Sequence, residues 1–194
     1  MELTDAEQPE AAPPVSGFDR VRALPRSWKI AVAVLSLALV AACLARFGLS
    51  GRAVVGGFFA TVLVLLSAID LDCRLIPNVI VVPALAICLA AQIALYPDRT
   101  LEWILASLLA ALALFLPLLI VPTGMGMGDV KLAALLGAVL GKSVILALLV
   151  GTVAGGLYAA AILVREGRDA RKKAIAYGPF LAFGGIVVLL IGGH

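Results

Sequence analysis

Residues 129–141 read DVKLAALLGAVLG, an apolar run that opens on a carboxylate and is shorter than its neighbours. Whether it crosses a membrane decides the topology of everything around it. The rest of the chain sets the context. Its 194 residues are 63% hydrophobic and 14% charged, with a mean hydropathy of +1.13. Globular domains run nearer ~45–50% apolar, and one of this length lacks the interior to hide the excess. A helix bundle in lipid need not hide it. The composition therefore points to an all-α, polytopic transmembrane bundle.

Apolar segments run at 29–45, 53–69, 79–95, 101–121, 129–141, 143–164 and 174–191. Most have the ~17–25 residues that a helix needs to span the hydrocarbon. Proline, glycine and charge fill the breaks, as loops require. Residues 1–28 are polar, Pro-rich and acidic before turning basic, and read as a disordered cytoplasmic tail. They do not read as a secretory signal, because the apolar run begins late and no cleavage site follows a short one. Residues 29–194 then form one transmembrane domain.

Lysine and arginine arbitrate the short run. With seven spans and the N-terminus in the cytoplasm, 11 of the 15 basic residues fall inside. Arg46, Arg52, Arg99 and Lys142 fall outside. If 129–141 failed to cross, the basic loop REGRDARKK at 165–173 would move outside, against the positive-inside rule. About seven helices, N-terminus in and C-terminus out, is the expected topology. A net charge of +3 answers to orientation, with no nucleic-acid partner expected.

Chemistry is narrowed by what is scarce. Cys43, Cys73 and Cys88 stand alone without a CxxC, and Cys43 and Cys88 read as small hydrophobes inside apolar runs. The single histidine is His194. No zinc site and no Ser-His or Cys-His nucleophile is expected, nor any cofactor, which leaves carboxylates. Asp70 ends the second span and Asp129 begins the fifth, so the topology puts both at one depth on the cytoplasmic side. An ionisable group inside a membrane costs roughly 2.5–3.5 kcal/mol even on lenient scales. One bland reading is that Asp129 caps its helix, where the dipole suits an anion. A cap, however, does not need the alternating glycines of PTGMGMGD (122–129), which permit close backbone approach. Two adjacent aspartates would share a proton. The neutral one then donates to a peptide carbonyl while the ionised one deprotonates water.

Four stretches carry a resemblance: DLDCRLIPN at 70–78, GMGD at 126–129, its continuation VKLAALLGAVLG to 141, and AYGPFLAFGG at 176–185. In that order, from about residue 60 onward, they resemble the motifs of type IV prepilin peptidases, including the short pilus-assembly and preflagellin members. The resemblance implies an aspartic endopeptidase of the cytoplasmic membrane that removes the leader from a pilin-like precursor at the cytoplasmic face. Asp70 and Asp129 match its catalytic aspartates, with Asp72 the alternative for the first role unless it pairs with Arg74. Gly126 and Gly128 would shape the approach to the substrate, alongside Pro77, Asn78 and Lys131; Lys131 reads equally as a positive-inside anchor. Long members of the family also carry two cysteine pairs in an N-terminal region and methylate the product. This sequence shows no such pairs, so peptidase activity alone is expected.

The GxGD pattern also resembles presenilin-type peptidases, but no Tyr-Asp dipeptide occurs, and Pro83-Ala84-Leu85 precedes the GxGD instead of following it. A transporter or channel subunit, or an inactive scaffold, explains the acids but not the order of motifs. Elsewhere Trp28, Tyr96 and Trp103 read as interfacial anchors. Gly151, Gly155 and Gly156 read as close-packing positions, and Pro117 as a kink.

Overall fold

The computed structural model describes residues 21–22, 24–120, 126–166 and 176–192. Seven α-helices are described in full: α1 Arg26–Phe47, α2 Gly51–Cys73, α3 Asn78–Leu95, α4 Thr100–Ile120, α5 Met127–Leu140, α6 Val144–Glu166 and α7 Gly178–Ile191. Single 3₁₀ turns at Pro97–Arg99 and Gly141–Ser143 lead into α4 and α6. There is no strand among the described residues. Among the described residues, five stretches are long and apolar enough to cross a membrane: Arg26–Phe47, Gly51–Cys73, Asn78–Leu95, Pro97–Ile120 and the 39-residue Met127–Arg165. Gly178–Ile191 is a shorter apolar helix.

The 39-residue stretch is two helices folded back on each other. Gly141 takes φ +55, a left-handed conformation that glycine adopts without cost. It lies against Glu102 and Trp103 at the start of α4. From there α6 returns, meeting Gly184 of α7 near Ala147, Phe180 near Gly151 and Tyr177 near Gly155. The short apolar run therefore traverses the bundle, and the seven helices alternate in direction. The starts of α1, α3, α5 and α7 gather at one end with the finish of α2. The finishes of α1, α3 and α5 gather at the other.

Helix α5 is the axis. Leu132 to Leu140 are all buried, with α4 on one flank, α3 on another and α7 behind. In lipid the hydrophobic effect does not drive helices together, so close backbone packing and polar ties must do so. Both are present. Gly137 sits directly on the Ala106 carbonyl of α4, and Gly184 on the Ala147 carbonyl of α6, leaving no room for a Cβ. Gln92 Nε2 donates to the Val139 carbonyl at 2.8 Å, and Ser107 Oγ to the Ala134 carbonyl at 2.9 Å. Each tie contributes on the order of 0.6 kcal/mol and fixes the register of α3 and α4 on α5. Apolar side chains such as Leu37, Leu108 and Ile145 face outward, where a bilayer would receive them.

Several expectations need correction. Gly151 and Gly155 do pack closely, but a Cβ at Gly156 would meet nothing within 4 Å. It lies on the face of α6 turned from α7. Trp103 is fully buried, with the Arg99 guanidinium 4.9 Å from its ring centre, so it is a core residue of the α4 start and not a surface anchor. Trp28 remains exposed. Pro117, the expected kink position, lies inside α4, which runs to Ile120. Helix α7 begins at Gly178 and not at 174, because Pro179 occupies its first turn. Most of the expected tail, residues 1–20, lies outside the described residues, yet α1 already starts at Arg26 and Leu24 is buried.

Candidate active site

Asp70 owes its place to helix periodicity. Phe59, Leu63, Leu66 and Asp70 repeat every three to four residues and form the buried face of α2. Two residues further on is about 200° around the helix, so Asp72 is exposed. There its Oδ2 accepts the Cys73 thiol at 3.3 Å; no ion pair with Arg74 forms among the described residues. Arg74 stops the helix in a left-handed conformation, φ 52, its N–H returning to the Asp70 carbonyl at 2.8 Å. Leu75 and Ile76 then lead to Pro77, whose carbonyl takes the Ile80 and Val81 N–H groups and opens α3.

The Asp70 carboxylate accepts the Gly178 N–H at 3.0 Å, a buried bond across 108 positions of sequence. Gly178 begins α7, so the positive end of that helix's dipole lies at the carboxylate. A Cβ on Gly178 would come 2.8 Å from Asp70 Oδ2. Only glycine lets the backbone approach this far.

Asp129 occupies the third position of α5. Its Oδ2 accepts the Gly126 N–H at 3.2 Å, so the expected capping contact exists. Capping uses one oxygen. The other, Oδ1, is shut from solvent and has no hydrogen-bond partner among the described residues. Leaving such an atom buried costs on the order of 1–3 kcal/mol, which a simple cap would avoid by facing water.

The two aspartates, 5% and 7% exposed, share one end of the bundle, and Asp129 lies within range of the Asp70 charge. Ile76 joins their supports. A Cβ on Gly128 would fall 2.6 Å from Ile76 Cβ, and one on Gly178 would fall 3.3 Å from Ile76 Cδ1. The buried Ile76 is thus wedged between the glycine preceding Asp129 and the glycine bonded to Asp70. Lys131 Nζ donates to Asn78 Oδ1 at 2.6 Å, tying the first turn of α5 to the first turn of α3 beside Pro77. Lys131 is therefore engaged with Asn78, besides any part in orientation. Gly126 is exposed and Gly128 half-buried; Gly124, read with them in the alternating run, lies outside the described residues.

Gly178 and Ile76 were not singled out by the sequence. Gly178 stands inside the noted AYGPFLAFGG segment, but nothing local marks its N–H as a partner of Asp70. Ile76 is one apolar residue in an apolar chain. Beside them the Tyr177 hydroxyl and the Thr152 hydroxyl of α6 lie 2.7 Å apart, within range of the Asp129 charge.

The model of the type IV leader peptidase family matches residues 57–160, a span that includes Asp70, Ile76 and Asp129 but not Gly178. Among curated proteins the chain is similar to the prepilin leader peptidase/N-methyltransferase of Bacillus subtilis (strain 168), 35% identical over 164 residues, 79% of this chain and 64% of that one. It is similar to the protein of that name from Burkholderia pseudomallei (strain K96243), 31% identical over 170 residues, 83% of this chain and 54% of the other. A third, from Pseudomonas aeruginosa, is 34% identical over 140 residues, 67% of this chain and 47% of its own. The chain thus spans from about half to under two thirds of these relatives' length. No solved structure matches it significantly.

Proposed function

The chain belongs to the type IV leader peptidase family, and we propose that it is a membrane aspartic endopeptidase that removes the leader from a pilin-like precursor, with Asp70 and Asp129 as its acid–base pair. The observation that carries this reading is that two buried aspartates 59 positions apart in sequence lie at one end of the bundle, within range of each other's charge, one of them with an oxygen that has no hydrogen-bond partner among the described residues. A structural pair would be satisfied within the protein. This one retains an atom for a reactant.

The chemistry follows from the arrangement. Two carboxylates brought to one peptide bond do not both ionise readily, so the working pair would hold one proton. The ionised member takes a proton from water as the water oxygen attacks the scissile carbonyl carbon. The neutral member donates its proton to the carbonyl oxygen, giving a tetrahedral diol. Collapse of the diol breaks the C–N bond: the proton gained from water goes to the departing amine, and one diol hydroxyl returns its proton to the aspartate that gave it, restoring the pair. Gly178 N–H and Gly126 N–H hold one oxygen of each carboxylate, leaving the second oxygens to the reaction. Gly126 and Gly128 would admit the extended substrate backbone near Asp129, and the Lys131–Asn78 tie would hold that loop against Pro77.

The end of the bundle that carries the aspartates also carries Arg26, Lys29, Arg74 and Lys131, and by the positive-inside rule it faces the cytoplasm. A precursor whose charged leader stays in water while its apolar helix enters the membrane would present its junction there. The relatives' names join peptidase to N-methyltransferase; the proposal covers the peptidase half.

The test is cleavage of a co-expressed pilin precursor, read as a mobility shift, by wild type and three isosteric variants. Asp70→Asn and Asp129→Asn should each lose about 10²–10⁴-fold in rate, the range of a single acid–base group, while remaining inserted. Asp72→Asn should cut like wild type. Normal cleavage by both Asp70→Asn and Asp129→Asn overturns the reading. A dead Asp72→Asn beside an active Asp70→Asn moves the first role two residues along.

A further inference from the structure

The end of the bundle opposite the aspartates carries Arg46, Arg52, Arg99 and Lys142, the four basic residues that the positive-inside rule does not explain. Two have an acidic partner in reach. Arg99 pairs with Glu102, Nη2 to Oε1 at 2.8 Å and Nε to Oε2 at 3.0 Å. Lys142 adjoins the same carboxylate, its backbone N–H reaching Glu102 Oε1 at 3.4 Å. Arg46 and Arg52 have none: among the described residues the one ion pair is Arg99–Glu102.

The two remaining arginines share a site. Their guanidinium carbons lie 5.9 and 4.8 Å from the centre of the Phe47 ring. They line one cavity of about 480 Å³ with Phe47, Ser50, Tyr96 and Gly192. Arg46 Nε makes one long bond among the described residues, 3.4 Å to the Leu190 carbonyl. Arg52 Nε is shut from solvent and has no hydrogen-bond partner among the described residues. Arg52 also sits within range of the like charges on Arg46 and Arg99. Like charges crowded around a polar cavity with donors to spare are the surroundings of an anion. The planar fork of arginine suits the oxygens of a phosphate, and a volume of several hundred Å³ suits a ligand of headgroup size. The position, at the close of α1 and α3 and the start of α2, is the depth of a membrane–water interface, where basic pockets between helices take lipid headgroups.

We propose that Arg46 and Arg52 form a binding site for the phosphate of an anionic phospholipid, on the far side of the bundle from the aspartates. The phosphate accepts from both guanidinium groups, Ser50 and Tyr96 offer hydroxyls to the rest of the headgroup, and the acyl chains run down the outer surface of the bundle.

The site is tested on the purified full chain in nanodiscs of phosphatidylcholine, titrated with phosphatidylglycerol and followed by native mass spectrometry and melting temperature. Wild type should retain phosphatidylglycerol and melt higher with it. Arg46→Gln/Arg52→Gln should bind it about tenfold more weakly, a change of about 1.4 kcal/mol. Lys142→Gln, which removes charge from the same end outside the cavity, should bind like wild type. Inorganic phosphate is the second arm. If it competes at the cavity, the same residues serve a soluble phosphate; if it does not, the headgroup is the ligand. Equal retention by the double variant and wild type overturns the proposal. So does a wild type that shows no preference for phosphatidylglycerol, a result that holds even if the variants fail to fold.

Discussion

At the level of single residues, three glycines near the aspartates look alike in sequence and differ in what surrounds them. A methyl on Gly126 would meet only ordinary contacts, the nearest atom 3.8 Å away. On Gly128 it would be driven to 2.6 Å from Ile76 Cβ, and on Gly178 to 2.8 Å from the Asp70 carboxylate. Gly178→Ala should therefore displace the Asp70 oxygen and lower cleavage at least about tenfold, about 1.4 kcal/mol of barrier, with the protein still inserted. Gly128→Ala should act alike by pushing Ile76 aside. Gly126→Ala should keep wild-type thermal stability. If it nonetheless loses cleavage, the role of Gly126 is toward the incoming peptide and not toward the fold. Comparing the three by melting curve and precursor cleavage separates these effects. A Gly178→Ala enzyme as fast as wild type would show that the Asp70–Gly178 bond does not position the carboxylate.

Among the helices, the tightest contacts are of backbone on backbone: Gly137 of α5 against Ala106 of α4, Gly184 of α7 against Ala147 of α6. Gly137→Val should cost about 1–3 kcal/mol, as overpacking does, read as a lowered midpoint of unfolding in mixed detergent micelles. Gly156→Val on the open face of α6 should leave that midpoint unchanged. No drop for Gly137→Val would mean that α4 and α5 separate freely. This contrast also marks how far the sequence can be read. Apolar length and charged breaks sufficed to place seven helices, and the basic loop at 165–173 sufficed to make the short run cross, because both follow from local composition. Which side of α6 meets α7 did not follow. Gly151, Gly155 and Gly156 carry the same lack of side chain, and the helix is apolar all round. Trp103 misled for a related reason: an aromatic at a helix end is an anchor or a core residue according to what packs on it. That Asp70 and Asp129 lie at one end of the bundle was legible because carboxylates are rare in such a chain and the topology set both at one depth, whereas Gly178 and Ile76 were hidden by being ordinary.

For the molecule as a whole, alternating helix directions put both aspartates at one end, and the proposed orientation turns that end to the cytoplasm. Green fluorescent protein joined after Glu166 should fluoresce, and alkaline phosphatase joined after Leu95 should be active, since each works on one side only. The opposite pattern would reverse the orientation and put the aspartates outside. The bond between Asp70 and Gly178 also has a consequence in time. Asp70 emerges from the ribosome 108 residues before the N–H that receives it. Until α7 is threaded into the membrane, the nascent chain carries a carboxylate without its Gly178 N–H, and if Asp70 acts as proposed it would be incapable of cutting anything. On the proposed function, a protease assembled in that order would remain harmless throughout its own synthesis. A chain halted after Glu166 should be inserted but inert and degraded quickly in a pulse-chase, and supplying residues 167–194 as a separate peptide should restore both its lifetime and its cleavage.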